Sequence, residues 1–193
     1  RYPSTYVRDL PVSFDLRIIG RSVIEIDTVA ESFQRLTTIL QHPADHALTL
    51  ADLYARSCKA YEDHNYSLCL IMAWTIVEKL LQELWDRYLE KNRKRNTDRD
   101  KVPFIDHDRK QKLTDSRDFS ASVISEILSL TNSLPFSLYK DLSRVRKARN
   151  YWLHDLKSLT RQDAELSVRV AEQMLDHVYR LNLKVPLTSR IHE

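Results

Sequence analysis

Gly20 is the single glycine among the 193 residues, and this scarcity limits the possible folds more than any other feature of the sequence. Glycine supplies the backbone conformations that many tight turns and hairpins require, so a sheet-rich fold is disfavoured. Apolar residues make up 42% of the chain and charged residues 30%, which is typical of a folded domain rather than a disordered one. The composition therefore predicts one all-α domain, a helical bundle of about five to six helices.

The longest predicted helix spans about residues 66–90, where apolar side chains recur every three or four residues. This seam consists of Leu70, Trp74, Val77, Leu81, Leu84 and Tyr88. Helical spacing also marks residues 27–41, 49 onward, 120–132, 136–154 and 160–182. Asn65 is placed to cap the long helix, and Thr49 with Asp52 and Thr160 with Asp163 have the spacing of capping boxes.

The chain divides by pattern into an N-terminal extension at 1–48, a helical domain at 49–182 and a tail at 183–193. In the extension, polar and apolar residues alternate at 12–18, and Gly20-Arg21 precedes a second apolar run at 23–26, which is compatible with a β-hairpin. Residues 91–118 are rich in charge and lack periodicity, which indicates an exposed connection with one short helix.

Several classes of protein are disfavoured by simple counts. Cys58 and Cys69 have no second pair at ligand spacing, so neither a disulfide framework nor a zinc site is predicted, and a reducing cytoplasm fits best. The longest apolar run, residues 68–77, is far shorter than the roughly 20 residues of a membrane span, so no membrane association is expected. No metal or cofactor is predicted. Arg1 in place of a methionine suggests either that an upstream segment was removed or that this is a piece of a larger chain.

Arg149 occupies a position where the flanking pattern calls for an apolar residue. Apolar side chains around it recur at three- and four-residue steps, as on the buried face of a helix: Leu138, Leu142, Val145, Trp152 and Leu156. Arg149 takes the place between Val145 and Trp152 and is expected to point toward the core. A guanidinium there needs a carboxylate or a phosphate, because an unpaired buried charge costs several kcal/mol.

Glu78 is a candidate partner, since it flanks the apolar seam of the long helix. On one interpretation Arg149 and Glu78 form a structural ion pair between two core helices, and His154 is a surface residue. On the other, the arginine is functional, because Arg146, Asn150 and His154 form a neighbouring stripe with four-residue spacing. Spacing alone does not separate these interpretations.

The sequence RNYWLH at 149–154 resembles the motif of the HEPN superfamily, helical domains named for higher eukaryotes and prokaryotes nucleotide-binding. Members carry Arg-x4-6-His on a late helix, usually with a polar residue directly after the arginine, and here Asn150 follows Arg149. The resemblance covers about residues 49–182 and includes the long helix, YSLCLIMAWTIVEKLLQELWDRY. Glu78 in that helix stands where many members have an acid.

Many HEPN domains are metal-independent endoribonucleases that act as homodimers, with both motif copies at the two-fold interface. The resemblance implies that Arg149 and His154 are catalytic, that Asn150 supports them and that Glu78 orients Arg149. Histidine suits this reaction because it transfers protons near neutral pH, and arginine stabilises the charge that develops at phosphorus. No cofactor is implied.

RNA is the partner that the resemblance implies, and six basic residues are candidates for holding its phosphates: Arg144, Arg146, Lys147, Arg93, Lys94 and Arg95. A solvated charged face is the other interpretation of these residues. An effector role in antiphage or toxin systems, with an antitoxin-like partner or an additional domain, is expected from the family. Two alternatives remain: a non-catalytic HEPN-like module that dimerises or binds a nucleotide or protein, and a regulatory domain whose strand-like N-terminus docks on a neighbour.

Overall fold

The computed structural model describes residues 26–93 and 105–183 of the chain. Within these two ranges the backbone forms seven helices and no strand, so the predicted all-α class is confirmed. The helices are α1 (Ile26–Leu40), α2 (Ala47–Glu62), α3 (Tyr66–Asn92), α4 (His107–Leu113), α5 (Ala121–Leu130), α6 (Phe136–Asp155) and α7 (Arg161–Tyr179). The predicted hairpin lies outside the described residues, except for Ile26, which begins α1.

The chain divides into two compact units, Arg1–Thr38 and Ile39–Glu193. Helices α2 to α7 belong to the second unit, which begins earlier than the predicted start at residue 49. His42 ties this earlier segment to the unit. Its Nδ1 accepts a hydrogen bond from the Ala44 backbone N at 3.1 Å, which leaves Nε2 to donate to the Tyr179 carbonyl oxygen, also 3.1 Å away.

Helix α1 is amphipathic and contains no buried residue. Its large apolar side chains follow steps of three and four residues and are exposed: Ile26, Val29, Phe33, Leu36 and Leu40. Glu31 and Arg35 form an ion pair elsewhere on the helix surface. The periodic spacing therefore predicted the helix correctly, and the apolar face of that helix is exposed.

Helix α2 starts earlier than predicted, at Ala47, with His46 at the N-cap position and no side-chain cap. The capping box expected for Thr49 and Asp52 is therefore wrong, since both residues lie inside the helix. Asp52 instead accepts a hydrogen bond from Nε of Arg56, 2.8 Å away and one turn later. The capping motif was ambiguous because the same residue types also occur on the exposed face of a helix.

Helix α3 is the central element, and it packs against α2, α5, α6 and α7. Its predicted cap is confirmed, since Oδ1 of Asn65 accepts a hydrogen bond from the Leu68 backbone N at 3.2 Å. Of the predicted seam, Leu70, Trp74, Val77 and Leu81 are buried, and Leu84 and Tyr88 are partly buried. Burial extends beyond the seam to Cys69, Ala73, Ile76 and Leu80, because neighbours cover α3 on more than one side.

The last helices meet the expectations from sequence closely. The break at 133–135 separates α5 from α6, and Thr160 forms the predicted capping box with Asp163 at the start of α7. Helix α4 is held to α3 by Trp85, whose Nε1 donates to the Leu113 carbonyl oxygen at 2.8 Å. Across the described ranges, none of the helices combines the length and apolar character that crossing a membrane requires.

Candidate functional site

Arg149 lies on the inner side of α6, as its position in the sequence pattern predicts. The buried residues of α6 are Leu138, Leu142 and Val145, and Arg149 comes one turn after Val145. From Ala148 onward no residue of α6 is fully buried, and Arg149, Asn150 and Trp152 are partly buried. The inner face of α6 therefore changes at Arg149 from closed core to a partly accessible surface.

The guanidinium of Arg149 has one hydrogen bond within the described residues. Its Nη1 donates to Oδ1 of Asn150 at 3.2 Å, whereas its Nε is buried and has no hydrogen-bond partner there. No described carboxylate forms an ion pair with it. Leaving a buried donor unpaired costs about 1–3 kcal/mol, and more when the group is charged. Arg149 is thus a partly buried cation with no counter-ion among the described residues.

Arg146 repeats this feature one turn earlier on α6. It is partly buried, its Nη1 is buried without a hydrogen-bond partner, and no ion pair with a described carboxylate forms. Arg144, two residues before it, is exposed and its Nη1 lies 3.4 Å from Oδ1 of Asp141. The three arginines of α6 therefore differ, because only the exposed one has an acidic partner in the part of the chain that the structure describes.

Glu78 forms no hydrogen bond or ion pair with Arg149 among the described residues, contrary to the expectation that it pairs with or orients the arginine. It is exposed on α3 and lines a groove of about 290 Å³ with residues of α3, the segment after α4, and α5: Leu81, Gln82, Ser116, Phe119, Ser120, Ala121 and Ile124. No residue of α6 lines this groove, and no hydrogen bond or ion pair between Glu78 and Arg149 is found in the described ranges. Helix α3 contacts several neighbours, so a flank position on it did not determine which one Glu78 faces.

His154 is exposed in the last turn of α6, five residues after Arg149. Five residues correspond to about 140° of rotation and about 7.5 Å of rise, so the two side chains leave the helix on different faces. The structure therefore brings Arg149 and Asn150 together, whereas His154 lies one turn after Asn150 and leaves the helix on a different face from Arg149.

Three large apolar side chains near His154 in sequence are exposed at the end of α6. Tyr151 is 51% exposed, Leu153 40% and Leu156 85%, and Nζ of Lys157 lies 4.6 Å from the centre of the Tyr151 ring. Leu156 ends the helix in the left-handed region, with φ 52° and ψ 28°. Exposed apolar side chains of this size are available for a contact with another protein surface.

The other basic candidates lie on the surface where the structure describes them. Arg93 ends α3, is exposed, and its Nη1 lies 3.4 Å from Oε1 of Glu90. Lys147 is exposed on α6, beside the partly buried Arg146. Lys94 and Arg95 fall outside the described residues. Surface cations of this kind contribute mainly long-range attraction to an anion, and this attraction weakens with salt.

Metal-binding clusters and cysteine thiols are two further kinds of reactive group. In the described ranges, no three His, Cys, Asp or Glu side chains lie where they could hold a metal ion. Cys58 and Cys69 are free and buried, and burial raises the pKa of Cys58 to about 11 and that of Cys69 to about 12. Thiols with such pKa values are protonated near neutral pH and are weak nucleophiles.

The sequence interpretation identified the stripe of Arg146, Asn150 and His154 but missed its continuation toward the start of α6. Tyr139 and Ser143 precede Arg146 and Asn150 at spacings of four, three and four residues, and these four side chains are partly buried. The Tyr139 hydroxyl donates a hydrogen bond to Glu126 of α5. The regular spacing is a signal in the sequence, but it resembles the solvated face of any helix until the neighbouring helix is known.

No protein-family model, curated protein or solved structure matches the chain. The resemblance carried by the residues at 149–154 therefore stays a prediction. The geometry of α6 and its neighbours supplies the physical argument about function.

Proposed function

We propose that the chain is a HEPN-like, metal-independent endoribonuclease whose active site is shared by two copies. One observation carries the proposal: within the described residues the buried Nε of the partly buried Arg149 has no hydrogen-bond partner, and no carboxylate forms an ion pair with its guanidinium. A phosphodiester supplies the acceptor oxygens and the negative charge that this group lacks. The structural interpretation of Arg149 requires an acid, and Glu78, its candidate, lies in the groove beside α5.

The residues of the site match the steps of RNA cleavage through the 2′-hydroxyl. The His154 imidazole removes the proton of the 2′-hydroxyl, whose oxygen attacks phosphorus, and the bond to the 5′-oxygen breaks. The 5′-oxygen takes up a proton from an imidazole, which leaves a cyclic phosphate on one fragment and a hydroxyl on the other. Arg149 stabilises the charge on the phosphorane, and Asn150 positions Arg149 through the 3.2 Å hydrogen bond. This chemistry requires no metal ion.

A second copy of the chain is part of the proposal because one copy separates Arg149 from His154. In a symmetric dimer the same surface meets itself, so two α6 helices place an arginine and a histidine from different copies near one phosphate. The exposed apolar residues Tyr151, Leu153 and Leu156 flank His154 and fit such a contact. Burying them against a partner removes apolar surface from water, which favours association.

The surface cations have a supporting role in this proposal, and Glu78 has none. Arg93, Arg144 and Lys147 are exposed and attract the RNA backbone, as do Lys94 and Arg95. Among the described residues Glu78 forms no hydrogen bond or ion pair with Arg149, so it is given no part in orienting the guanidinium. An antiphage or toxin role, with an antitoxin-like partner or a further domain, stays a proposal from the family resemblance. A non-catalytic HEPN-like module that binds a nucleotide is the second candidate, because its phosphates would also satisfy Arg149.

Cleavage of labelled RNA in EDTA tests the proposal directly. Wild-type protein is expected to cleave, and Arg149→Gln and His154→Ala are each expected to lose at least about a hundredfold in rate. Arg169→Gln is the matched control, since Arg169 is exposed on α7 and pairs with Glu165 at 3.7 Å. Cleavage that survives in both site variants contradicts the assignment. Binding of a nucleotide without cleavage by wild-type protein favours the non-catalytic module.

Mixing the two inactive variants tests whether the site is shared. After subunit exchange, a mixed dimer has one intact Arg149 and one intact His154 on different copies. A shared site therefore regains cleavage on mixing, to about a quarter of the wild-type rate if exchange is random and each dimer holds two sites. No recovery after demonstrated exchange means that both residues act within one copy. A strict monomer by light scattering at micromolar concentration also contradicts the shared site.

A further inference from the structure

Arg146 and Arg149 together have a property that the single motif arginine does not explain. Both are partly buried and belong to α6, and each has one buried guanidinium nitrogen that finds no hydrogen-bond partner among the described residues. Three residues along a helix correspond to about 4.5 Å of rise and about 60° of rotation, so their side chains are neighbours. Two guanidinium groups at this spacing repel each other unless an anion lies between them.

The local sequence explains why these arginines lack acidic partners. Elsewhere in the structure, Arg56 and Arg169 pair with acids four residues earlier, Asp52 at 2.8 Å and Glu165 at 3.7 Å. The residues three and four positions from Arg146 are Ser143, Leu142, Arg149 and Asn150, and none is acidic. Around Arg149 the same positions hold Val145, Arg146, Trp152 and Leu153. Neither arginine can therefore form the ion pair that is usual along a helix.

The groups that face Arg146 also leave its charge free for an external anion. Tyr139 and Ser143 lie on the same stripe of α6, and Glu126 of α5 accepts the hydrogen bond of the Tyr139 hydroxyl. The Glu126 carboxylate raises the pKa of Tyr139, and the nearby Ser143 and Arg146 side chains oppose that effect. Arg146 is thus close to this pair, yet among the described residues it forms no ion pair with Glu126.

We propose that Arg146 and Arg149 together bind one phosphate group, with Ser143 beside them as a further hydrogen-bonding group. A tetrahedral oxyanion has enough acceptor oxygens to receive hydrogen bonds from both buried guanidinium nitrogens at once. In the proposed nuclease, this group belongs to the RNA backbone, and to that extent the inference rests on the proposed function. The same chemistry binds a free phosphate ion, which then competes with RNA.

Thermal unfolding of the full chain with inorganic phosphate tests this site without any cleavage. At matched ionic strength, phosphate is expected to raise the unfolding midpoint of wild type relative to chloride, because a ligand that binds only the native state stabilises it. Arg146→Gln is expected to bind phosphate about tenfold more weakly, the loss typical of one charge-assisted hydrogen bond. Arg169→Gln removes one charge from a paired surface arginine and is expected to respond like wild type. Equal responses of Arg146→Gln and Arg169→Gln overturn the proposal.

A second variant keeps the test decisive if Arg146→Gln fails to fold. Arg146→Lys keeps the charge and the aliphatic stem but loses the planar fork, so phosphate affinity is expected to fall while the chain stays folded. Unchanged phosphate affinity in Arg146→Lys and Ser143→Ala together contradicts a site built from these side chains and indicates a general charge effect.

Competition with a 2′-deoxy oligonucleotide distinguishes the two sources of phosphate and separates this inference from the nuclease proposal. The labelled oligonucleotide has no 2′-hydroxyl to react, so its binding is measured alone. Inorganic phosphate is expected to displace the labelled oligonucleotide from wild type, and to displace it less effectively from Arg146→Gln. This result supports one shared site. Arg169→Gln, which changes a paired surface arginine on α7, is expected to bind the oligonucleotide as wild type does. Phosphate binding through Arg146 without RNA cleavage by wild type retains the inference and rejects the nuclease. RNA cleavage by wild type, together with phosphate binding that Arg146→Gln leaves unchanged, rejects the inference and retains the nuclease.

Discussion

The guanidinium of Arg149 donates a hydrogen bond from Nη1 to the side-chain oxygen of Asn150, the next residue in the chain, at 3.2 Å. The acceptor is an amide and not a carboxylate, so the contact positions the guanidinium without neutralising its positive charge. A buried arginine that serves only the fold is usually paired with an acid. The Arg149 and Asn150 pair is therefore better suited to receiving an anion than to holding two helices together.

Asn150→Asp is expected to make the Arg149 guanidinium less able to bind an anion. The new carboxylate has nearly the shape of the amide but forms an ion pair with Arg149, so it competes with a phosphate for the same guanidinium. RNA cleavage is expected to fall at least about tenfold, while the free energy of unfolding stays equal or rises. Asn132→Asp makes the same chemical change at an exposed position after α5 and serves as the control. Unaltered cleavage by Asn150→Asp contradicts the role of Asn150.

Glu78→Gln is expected to change the free energy of unfolding by less than about 0.5 kcal/mol, because Glu78 is exposed. If Glu78 were the buried partner of Arg149, removing its charge would cost about 3–5 kcal/mol. Urea unfolding measures the difference. A double-mutant cycle with Arg149→Gln provides the control, and the two effects are expected to add within about 0.5 kcal/mol. A strong coupling energy would restore the ion pair predicted from sequence.

Leu156→Gly is expected to stabilise the monomer and weaken the dimer. Leucine in the left-handed region at the end of α6 is strained, and glycine relieves about 1 kcal/mol of that strain. The greater conformational entropy of glycine in the unfolded chain offsets part of this gain. The same change removes an 85% exposed apolar side chain from the proposed contact. Urea unfolding at low concentration and light scattering measure the two effects. Leu156→Ala, which keeps the strain, is expected to weaken the dimer without stabilising the monomer.

Stability is expected to fall as pH rises above about 9, because Cys58 and Cys69 have folded-state pKa values of about 11 and about 12 against an ordinary 9.0. The unfolded chain loses the thiol protons at lower pH than the folded chain, so deprotonation favours unfolding between these values. Urea unfolding at several pH values between 8 and 10 measures the slope. Cys69→Ala is expected to make the decrease in the free energy of unfolding with pH shallower. Rapid reaction of both thiols with a thiol reagent in the native protein at pH 8 would contradict their burial.

Sequence alone was enough to predict the elements that depend on neighbouring residues. The scarcity of glycine and the three- and four-residue apolar spacing indicated helices, and the caps at Asn65 and Thr160 are present. The same spacing located Arg149 on the inner face of α6, since an angular position on a helix follows from residue number. The cap expected at Thr49 failed because its residue types are also common on helix surfaces.

The tertiary structure decided which surfaces meet. It placed Glu78 toward α5, joined Glu126 to Tyr139, and brought His42 and His177 into hydrogen bonds with the backbone of Tyr179 and Ser133. Sequence by itself determined the helices and the face of each on which a side chain lies, because backbone periodicity is local. Only packing decided what that face contacts, because the neighbour comes from a distant part of the chain.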